Sequence, residues 1–252
     1  MVDLGPLDLV FLLLGGVIAG IIGTAGGITS LVAYPVLLAV GIPPLTANFT
    51  GSIAMLGSGI GSTLRAGPDV VGHRATLRRW IPVAVTGSLA GAILLLVTPA
   101  DVFGRIVPFL VAAGAVLLLV QPRITAWNDR HHRRVSTGTT ATAMTGVTVY
   151  NGYFGAGSGV LMIALLLLTI EPRMLRANAL KNVLLVSADL LPAVLFAIFG
   201  HVVWPAVVAL GIGTLAGGLI GPSVARRIPR RALRILIALS GFGLAVWLFL
   251  HP

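Results

Sequence analysis

The sequence predicts an all-α polytopic membrane protein made of two inverted repeats, with about five hydrophobic segments in each. Three observations lead to this prediction: the composition, a series of apolar segments, and two glycine-rich breaks at matching places in the halves. The 252-residue chain is 57% hydrophobic and 10% charged, with a mean hydropathy of +1.02. Because a typical soluble domain is about 25% charged, this composition indicates an integral membrane protein.

Ten apolar segments follow one another, separated by proline, glycine and charged residues. Several approach the ~20 residues that cross a hydrocarbon core ~30 Å thick, and a spanning segment that satisfies its own backbone hydrogen bonds is a helix. The segments are residues 6–22, 28–41, 45–64, 80–97, 102–121, 138–154, 158–170, 177–199, 202–222 and 231–250. The second and seventh are short, with 14 and 13 residues, which favours broken or re-entrant helices there.

One hydrophobic unit occurs twice in the chain. Each copy contains a glycine-rich break (residues 23–28 and 155–160), followed by an Ala-Asn pair, a tryptophan and a small-residue segment. Five segments is an odd number, so the second copy enters the membrane in the opposite sense to the first. The predicted organisation is a first repeat over 1–121, a basic cytoplasmic linker over 122–137 and a second repeat over 138–252. Apolar repeats broken at matching places are typical of secondary transporters.

Basic residues fall almost entirely on one side of the predicted topology. When the connections between segments are assigned alternately to two sides, all but one of the 17 Lys and Arg residues share a side, Arg105 being the exception. The positive-inside rule makes that side cytoplasmic and both termini extracytoplasmic. We therefore interpret the net charge of +10 as the topology of a multi-pass plasma (inner) membrane protein, and not as a nucleic-acid site. The alternation leaves open whether segments 1–2 and 6–7 cross fully or turn back as hairpins.

The glycine-rich breaks are the predicted binding site for a small anion. The first amides of a helix lack intrahelical partners and carry about half a positive charge, and glycine lets a ligand approach them. Inverted symmetry would direct two such helix ends at one central cavity. The alternative is that the glycines only allow close helix packing. The candidate residues at the breaks are Gly23, Thr24, Gly26, Gly27, Gly155, Gly157, Ser158 and Gly159, with the hydroxyls of Thr29 and Ser30 nearby.

A second set of polar residues follows each short segment within about one helical turn. Its members are Asn48, Thr50 and Ser52 in the first copy, and Asn178, Lys181 and Asn182 in the second. Their N–H and O–H groups can donate to an oxyanion or make hydrogen bonds between helices. Lys181 can reach the cytoplasmic surface along its apolar stem, or it can project inward and neutralise a substrate.

Asp189 is the only acidic residue deep inside an apolar run. A charge at the bilayer centre costs at least ~2.5–3.5 kcal/mol, so Asp189 is a candidate for proton coupling; the alternative is a structural polar contact at a Pro192 kink. The sequence has no cysteine, and its histidines lie in predicted loops and at segment edges. We therefore predict no catalytic residues, no metal site and no cofactor, which excludes an intramembrane enzyme.

At these residues the chain resembles the TauE/SafE family (the transmembrane TSUP group) of sulfite and organosulfonate exporters. The matching pieces are residues 23–28 followed by Pro35, the Ala47-Asn48 pair with Thr50, and residues 150–157, 177–182 and 225–229. The sequence departs from the family pattern at Asn151, where a second glycine is common, and at Gly51, where a serine is frequent. Both departures touch the predicted site.

The resemblance implies a carrier of small sulfur-containing anions (sulfite, a sulfonate or a related organic acid). With the inverted repeat and Asp189, we predict a secondary transporter that works by alternating access, with protons as the candidate coupling ion. A passive small-anion channel with the same fold is the alternative. The expected partners are a small anionic substrate and the lipid bilayer. The direction of transport and the oligomeric state stay open.

Overall fold

A computed structural model describes residues 4–130, 136–224 and 230–250, with the side chains of 24–26, 65–68, 121–130, 222–224, 230–234 and 236 outside that description. The described residues form ten helices: α1 (Pro6–Gly26), α2 (Thr29–Ala39), α3 (Pro44–Val70), α4 (Arg74–Val97), α5 (Ala100–Arg130), α6 (Thr137–Tyr153), α7 (Ser158–Thr169), α8 (Met174–Phe199), α9 (Trp204–Val224) and α10 (Arg230–Leu250). Within that part of the chain, five helices (α1, α4, α5, α8 and α9) are long and apolar enough to cross a membrane. The all-α membrane architecture is confirmed.

Each predicted segment corresponds to one helix, and the largest difference is at the predicted linker. Residues 122–130 of the linker continue α5, so that helix runs for 31 residues. Residues 131–135 lie outside the described residues. The two short segments are α2 with 11 residues and α7 with 12. At 1.5 Å per residue these helices rise only about 16–18 Å, roughly half of a hydrocarbon core.

Contacts between loops place the connections at two opposite ends of α3. The α3–α4 and α7–α8 connections meet in an ion pair, in which His73 Nε2 lies 3.2 Å from Glu171 Oε2. Near the other end, the backbone N–H of Val203 in the α8–α9 connection donates to Thr50 Oγ1 at 3.2 Å. The interpretation of the charge pattern used the same alternation, in which successive connections lie at opposite ends of the molecule. Which end faces the cytoplasm stays a prediction.

The first glycine-rich break is the tip of a helical hairpin. Helix α1 ends at Gly27, whose φ of 70° is left-handed and whose N–H donates to Gly23 O. From there α2 runs back along α1, since a methyl group added to Gly15 would lie 2.6 Å from Val36 Cγ1. A left-handed turn of this kind favours glycine because other side chains collide with the backbone there.

The second break has the same form. Gly155 and Gly157 have φ values of 76° and 78°, and α7 runs back along α6, where the Ser158 hydroxyl donates to Asn151 Oδ1 at 2.6 Å. Each break is thus the tip of a helical hairpin whose returning helix is too short to cross a bilayer; re-entry of the two hairpins into the membrane stays a prediction. Their tips approach each other from opposite ends of the molecule.

The two halves are interleaved. Helix α1 packs along α9 and α6 packs along α4, while α3 contacts both α8 and α9, and α5 packs against α10. Each helix of the first half has a counterpart five helices later in the chain, so that α1 corresponds to α6 and α4 to α9. When every helix is replaced by its counterpart, the α1–α9 pair becomes the α6–α4 pair, whereas the α3–α8 and α5–α10 pairs stay the same. A twofold relation between the halves would produce this pairing; the opposite orientation of the two repeats in a membrane stays a prediction.

Glycine makes the closest of these helix pairs possible. A methyl group on Gly16 of α1 would lie 2.5 Å from the carbonyl oxygen of Leu210 on α9, and one on Gly213 would lie 3.0 Å from Gly16 Cα. The small-residue segment of the first copy, residues 87–91, allows an equally close approach of α4 and α6. A methyl group on Gly91 would lie 2.8 Å from the Tyr153 nitrogen. Small residues let backbones approach closely in membranes, where packing replaces the hydrophobic effect as the attraction between helices.

Candidate substrate site at the hairpin tips

The two hairpin tips touch through glycine. A methyl group on Gly27 would lie 2.7 Å from the carbonyl carbon of Gly159, and one on Gly159 would lie 2.5 Å from the carbonyl oxygen of Gly27. A larger residue at either position would have to push one backbone away from the other. The breaks therefore meet in the interior, and only glycine fits their contact.

A cavity of about 100 Å³, open at its mouth, lies beside this contact. Nine of the candidate residues line it: Gly23, Gly27, Ser52, Gly155, Ser158, Gly159, Lys181, Asn182 and Asp189. They come from the tips of both hairpins and from the facing helices α3 and α8, so the cavity belongs to both halves of the chain.

Three other candidate residues make contacts elsewhere. Asn48 donates from Nδ2 to Tyr153 O at 3.0 Å and lines a small neighbouring cavity. Thr50 is fully buried and accepts the N–H of Val203. Gly157 precedes α7 as its left-handed cap. Asn48 and Thr50 thus hold backbone of the second half in place.

The remaining candidate residues are placed only in part. Asn178 lies in the early part of α8, one turn before Lys181, and does not line the cavity. Gly26 is the last residue of α1, and the side chain of Thr24 lies outside the described part of the chain.

Lys181 projects into the cavity and not to the surface. Its side chain is only 3% exposed, and among the described residues no carboxylate lies within 4.0 Å of it. A buried charge that lacks a partner carries a large desolvation cost. A negatively charged ligand in the cavity would supply the missing partner. Of the two positions that the sequence leaves open for Lys181, the structure has the inward one.

The first turns of both short helices also face the cavity. Thr29 and Ser30 begin α2, Ser158 and Gly159 begin α7, and all four line it. Within the described residues, the N–H of Gly159 has no backbone acceptor, whereas Val160 donates to Gly157 O at 3.0 Å. Two helix N-termini and one ammonium group therefore contribute positive potential to the cavity, and the carboxyl group of Asp189 in the same lining opposes it when ionised.

The cavity also contains a hydrogen-bonded group that joins three helices and includes Asp189, about two turns after Lys181 on α8. Asn151 of α6 donates from Nδ2 to Asp189 Oδ1 of α8 at 2.5 Å, and its Oδ1 accepts the hydroxyl of Ser158 at the start of α7. Ser88 Oγ on α4 lies 3.5 Å from the same Nδ2. Asp189 is thus hydrogen-bonded and faces the cavity at the same time.

Sequence reasoning missed Ser58 and Ser62 in the lining, and it named Asn151 only as a departure from the family pattern at the predicted site. A signal for the serines was present, because Ser52, Met55, Gly59 and Ser62 recur at the spacing of one helix face and all line the cavity. Spacing did not reveal the contacts of Asn151, whose partners lie 7 and 38 residues away in the chain.

Known membrane proteins are similar to this chain along most of its length. The family described as "Sulfite exporter TauE/SafE" matches residues 9–248. "Probable membrane transporter protein ORF9" of a Sinorhizobium species is 28% identical over 256 residues, covering 100% of this chain and 96% of the relative. "Probable membrane transporter protein YfcA" of Escherichia coli K12 is 25% identical over 234 residues, covering 93% and 87%. A "Probable membrane transporter protein" of Haemophilus influenzae is 24% identical over 246 residues, covering 95% and 94%. No solved structure gives a significant match.

Proposed function

The chain belongs to the TauE/SafE family of membrane transporters, and we propose that it is a secondary transporter of small sulfur-containing anions such as sulfite or a sulfonate. The family description and the names of the relatives support membrane transport. The kind of substrate is supported by the chemistry of the cavity together with the family description.

Lys181 is the observation that carries this proposal. It is a buried cation without a carboxylate partner in the described part of the chain, and it shares a cavity with two helix N-termini. A sulfite or sulfonate headgroup has a negative charge and three oxygens, so it can pair with the ammonium group and accept N–H and O–H donors together. The small cavity and the hydroxyls of Ser52, Ser58 and Ser62 favour a compact polar ligand over a lipid.

Alternating access is supported by the way the cavity is assembled. Its walls come from helices of both halves, and the hairpin tips make the contact between them. Relative movement of the halves about a fixed central site is how transporters built from repeats work. Asp189, in the wall of the same cavity, is the candidate residue through which protons drive the transport.

The proposal is tested with purified protein in liposomes. We expect labelled sulfite or methanesulfonate to exchange across the membrane, and Lys181→Met to remove most of this flux without loss of folded protein. Absence of flux under every ion gradient would overturn the transporter assignment. Flux that is far faster than a carrier cycle, and that shows no counterflow, would indicate a channel instead.

Proton coupling is tested separately with Asp189→Asn. We expect this variant to exchange anion for anion but to lose accumulation driven by a pH gradient, because it has no group that binds the proton. Undiminished accumulation by Asp189→Asn would remove Asp189 from the coupling mechanism while leaving the anion site untouched.

A further inference from the structure

We propose that Asn151 is a switch that links a proton on Asp189 to the hydroxyl that Ser158 presents at the start of α7. This inference rests on the proposed function, because it describes how proton and anion binding depend on each other. Asn151 acts through its neighbours and is a positioning residue in this mechanism.

The observed geometry is the one that an ionised Asp189 requires. A carboxylate only accepts hydrogen bonds, so the amide nitrogen of Asn151 must face it, as it does at 2.5 Å. The amide oxygen then faces Ser158 and takes its hydroxyl proton at 2.6 Å. Because this proton is already donated, the Ser158 oxygen presents only lone pairs to the cavity. Lone pairs repel an oxyanion, so anion binding is weaker in this state.

Protonation of Asp189 reverses the chain of donors. One proton from solution binds the carboxylate, which becomes an O–H donor and requires an acceptor. Half a turn about the terminal torsion of Asn151, a soft twofold rotation, brings the amide oxygen to Asp189 and the amide nitrogen to Ser158. The serine oxygen now accepts from Nδ2, and its O–H is released to donate into the cavity. The Ser88 hydroxyl, which lies 3.5 Å from Nδ2 in the observed state, then faces the amide oxygen and can donate to it, and the only covalent bond formed is the O–H bond of the protonated Asp189.

This arrangement favours the proton and the anion together. The protonated state supplies one more hydroxyl donor beside the Gly159 N–H and removes one negative charge from the wall. By linkage, the proton strengthens anion binding by the same factor as the anion strengthens proton binding. A bound anion and a bound proton would therefore be carried in one step.

Few other charged groups face Asp189 from the helices packed around it. Lys181 lies about two turns earlier on its own helix, and α6 contributes Tyr150, whose hydroxyl donates to Ala156 O at 2.6 Å, and Tyr153. Helix α7 has no titratable residue. The described charged side chains of α3 and α4 lie at the helix ends away from the Asp189 turn: Asp69, Arg74, Arg78 and Arg79. Arg65 lies outside the described side chains.

The switch occurs in one half only. The repeat pairs Asn151 with Ala19, Ser158 with Gly26 and Asp189 with Gly59, and none of these three can form such a chain. Both hairpins thus present a helix N-terminus to the cavity, but only the second has side chains that respond to a proton.

The test measures how pH changes anion affinity. Methanesulfonate is the probe, because its sulfonate does not titrate between mildly acidic and mildly alkaline buffer, and its dissociation constant is followed by calorimetry. We expect binding to be tighter in acid, and Asn151→Ala or Ser158→Ala to reduce the total change by about tenfold, the value of one charge-assisted hydrogen bond. The double variant should lose no more than either single variant. Thr142→Ala is the control, since Thr142 lies on α6 like Asn151 but is exposed, does not line the cavity, and donates its hydroxyl to Gly138 O within its own helix.

Two results would overturn the switch. The first is an unchanged pH effect in both single variants, which would mean that Asp189 acts on the anion through space alone. The second is loss of the pH effect in Ser158→Thr, because threonine keeps the hydroxyl. Should Asn151→Ala not fold, Ser158→Ala with Ser158→Thr decides the matter. Lack of methanesulfonate binding by the unaltered protein at every pH contradicts the substrate class itself, and the switch falls with it.

Discussion

Two charged side chains are buried among the described residues, and they differ in a way that bears on function. Glu171 has both carboxylate oxygens occupied, one by His73 and the other by the backbone N–H of Arg173 at 3.0 Å. These two contacts explain its burial, and the first of them joins the α3–α4 connection to the α7–α8 connection. Lys181 is buried more deeply and has no carboxylate partner in the described part of the chain, so a bound anion would supply the partner that the fold does not.

We predict that Lys181→Met binds anions poorly but folds well. Methionine has a similar length and no charge, so it removes the desolvation cost of the ammonium group. Loss of a charge-assisted contact should weaken methanesulfonate or sulfite binding by about 1.5–3 kcal/mol, roughly tenfold or more. The measurement is the rise in unfolding temperature that the anion produces, compared with the unfolding temperature of the free variant.

Lys181→Arg is the matched variant for this experiment, since it keeps the charge and should keep part of the stabilisation by anions. A Lys181→Met variant that is stabilised as much as the unaltered protein would show that the lysine does not contact the ligand. A variant that loses stability without ligand would show that the ammonium group has a structural partner.

Among single residues, the sequence predicted which charged side chains line the cavity better than which neutral ones do. Lys181 and Asp189 stand out because a charge inside an apolar run is costly and needs a reason. Asn48 and Thr50 are equally polar, yet they bond to backbone of the second half, 105 and 153 residues away. Spacing along one helix does not show which polar side chain meets a cavity and which meets a neighbouring backbone.

Among the elements, the two short helices could be predicted because their length is inconsistent with crossing a bilayer. The contact between their tips could only be expected from symmetry, and the structure shows it as Gly27 against Gly159. The ends of helices were harder to predict, as α5 shows by continuing to Arg130. Hydropathy marks the part of a helix that lies in lipid, whereas the hydrogen-bonded helix extends beyond it into water.

We predict that Gly159→Ala separates the hairpin tips. The added methyl group would lie 2.5 Å from Gly27 O and 2.6 Å from Gly27 Cα, and both atoms are backbone that cannot rotate away. Overpacking of this kind costs about 1–3 kcal/mol, so we expect a lower unfolding temperature in detergent together with weaker anion binding.

Gly146→Ala is the control for the tip variant. Gly146 lies inside α6, and a methyl group there would meet no atom within 4 Å, so alanine should leave stability unchanged or raise it by up to ~1 kcal/mol through helix propensity. Equal effects of the two substitutions would show that the tip contact has no special role.

For the whole molecule, interleaving has a consequence for stability. Because α1 packs along α9 and α6 along α4, neither half contains all the partners of its own helices. We therefore expect the halves to fold together and not as separate domains. The sequence predicted two copies, but the exchange of partners depends on glycine contacts between distant segments, such as Gly16 with Gly213, which hydropathy does not reveal.

The orientation of the whole molecule gives the last prediction, which uses the absence of cysteine from the sequence. Single cysteines are introduced at exposed connections: Val71→Cys, Ala100→Cys, Pro172→Cys and His201→Cys. In spheroplasts, a membrane-impermeant maleimide should label positions 100 and 201 directly, and positions 71 and 172 only after permeabilisation, because arginines flank the latter two. Labelling of all four with the sides exchanged would reverse the orientation but keep the fold. Labelling of 71 and 172 from different sides would contradict the His73–Glu171 contact, and with it the arrangement in which two hairpins enter from opposite ends and meet at the anion cavity.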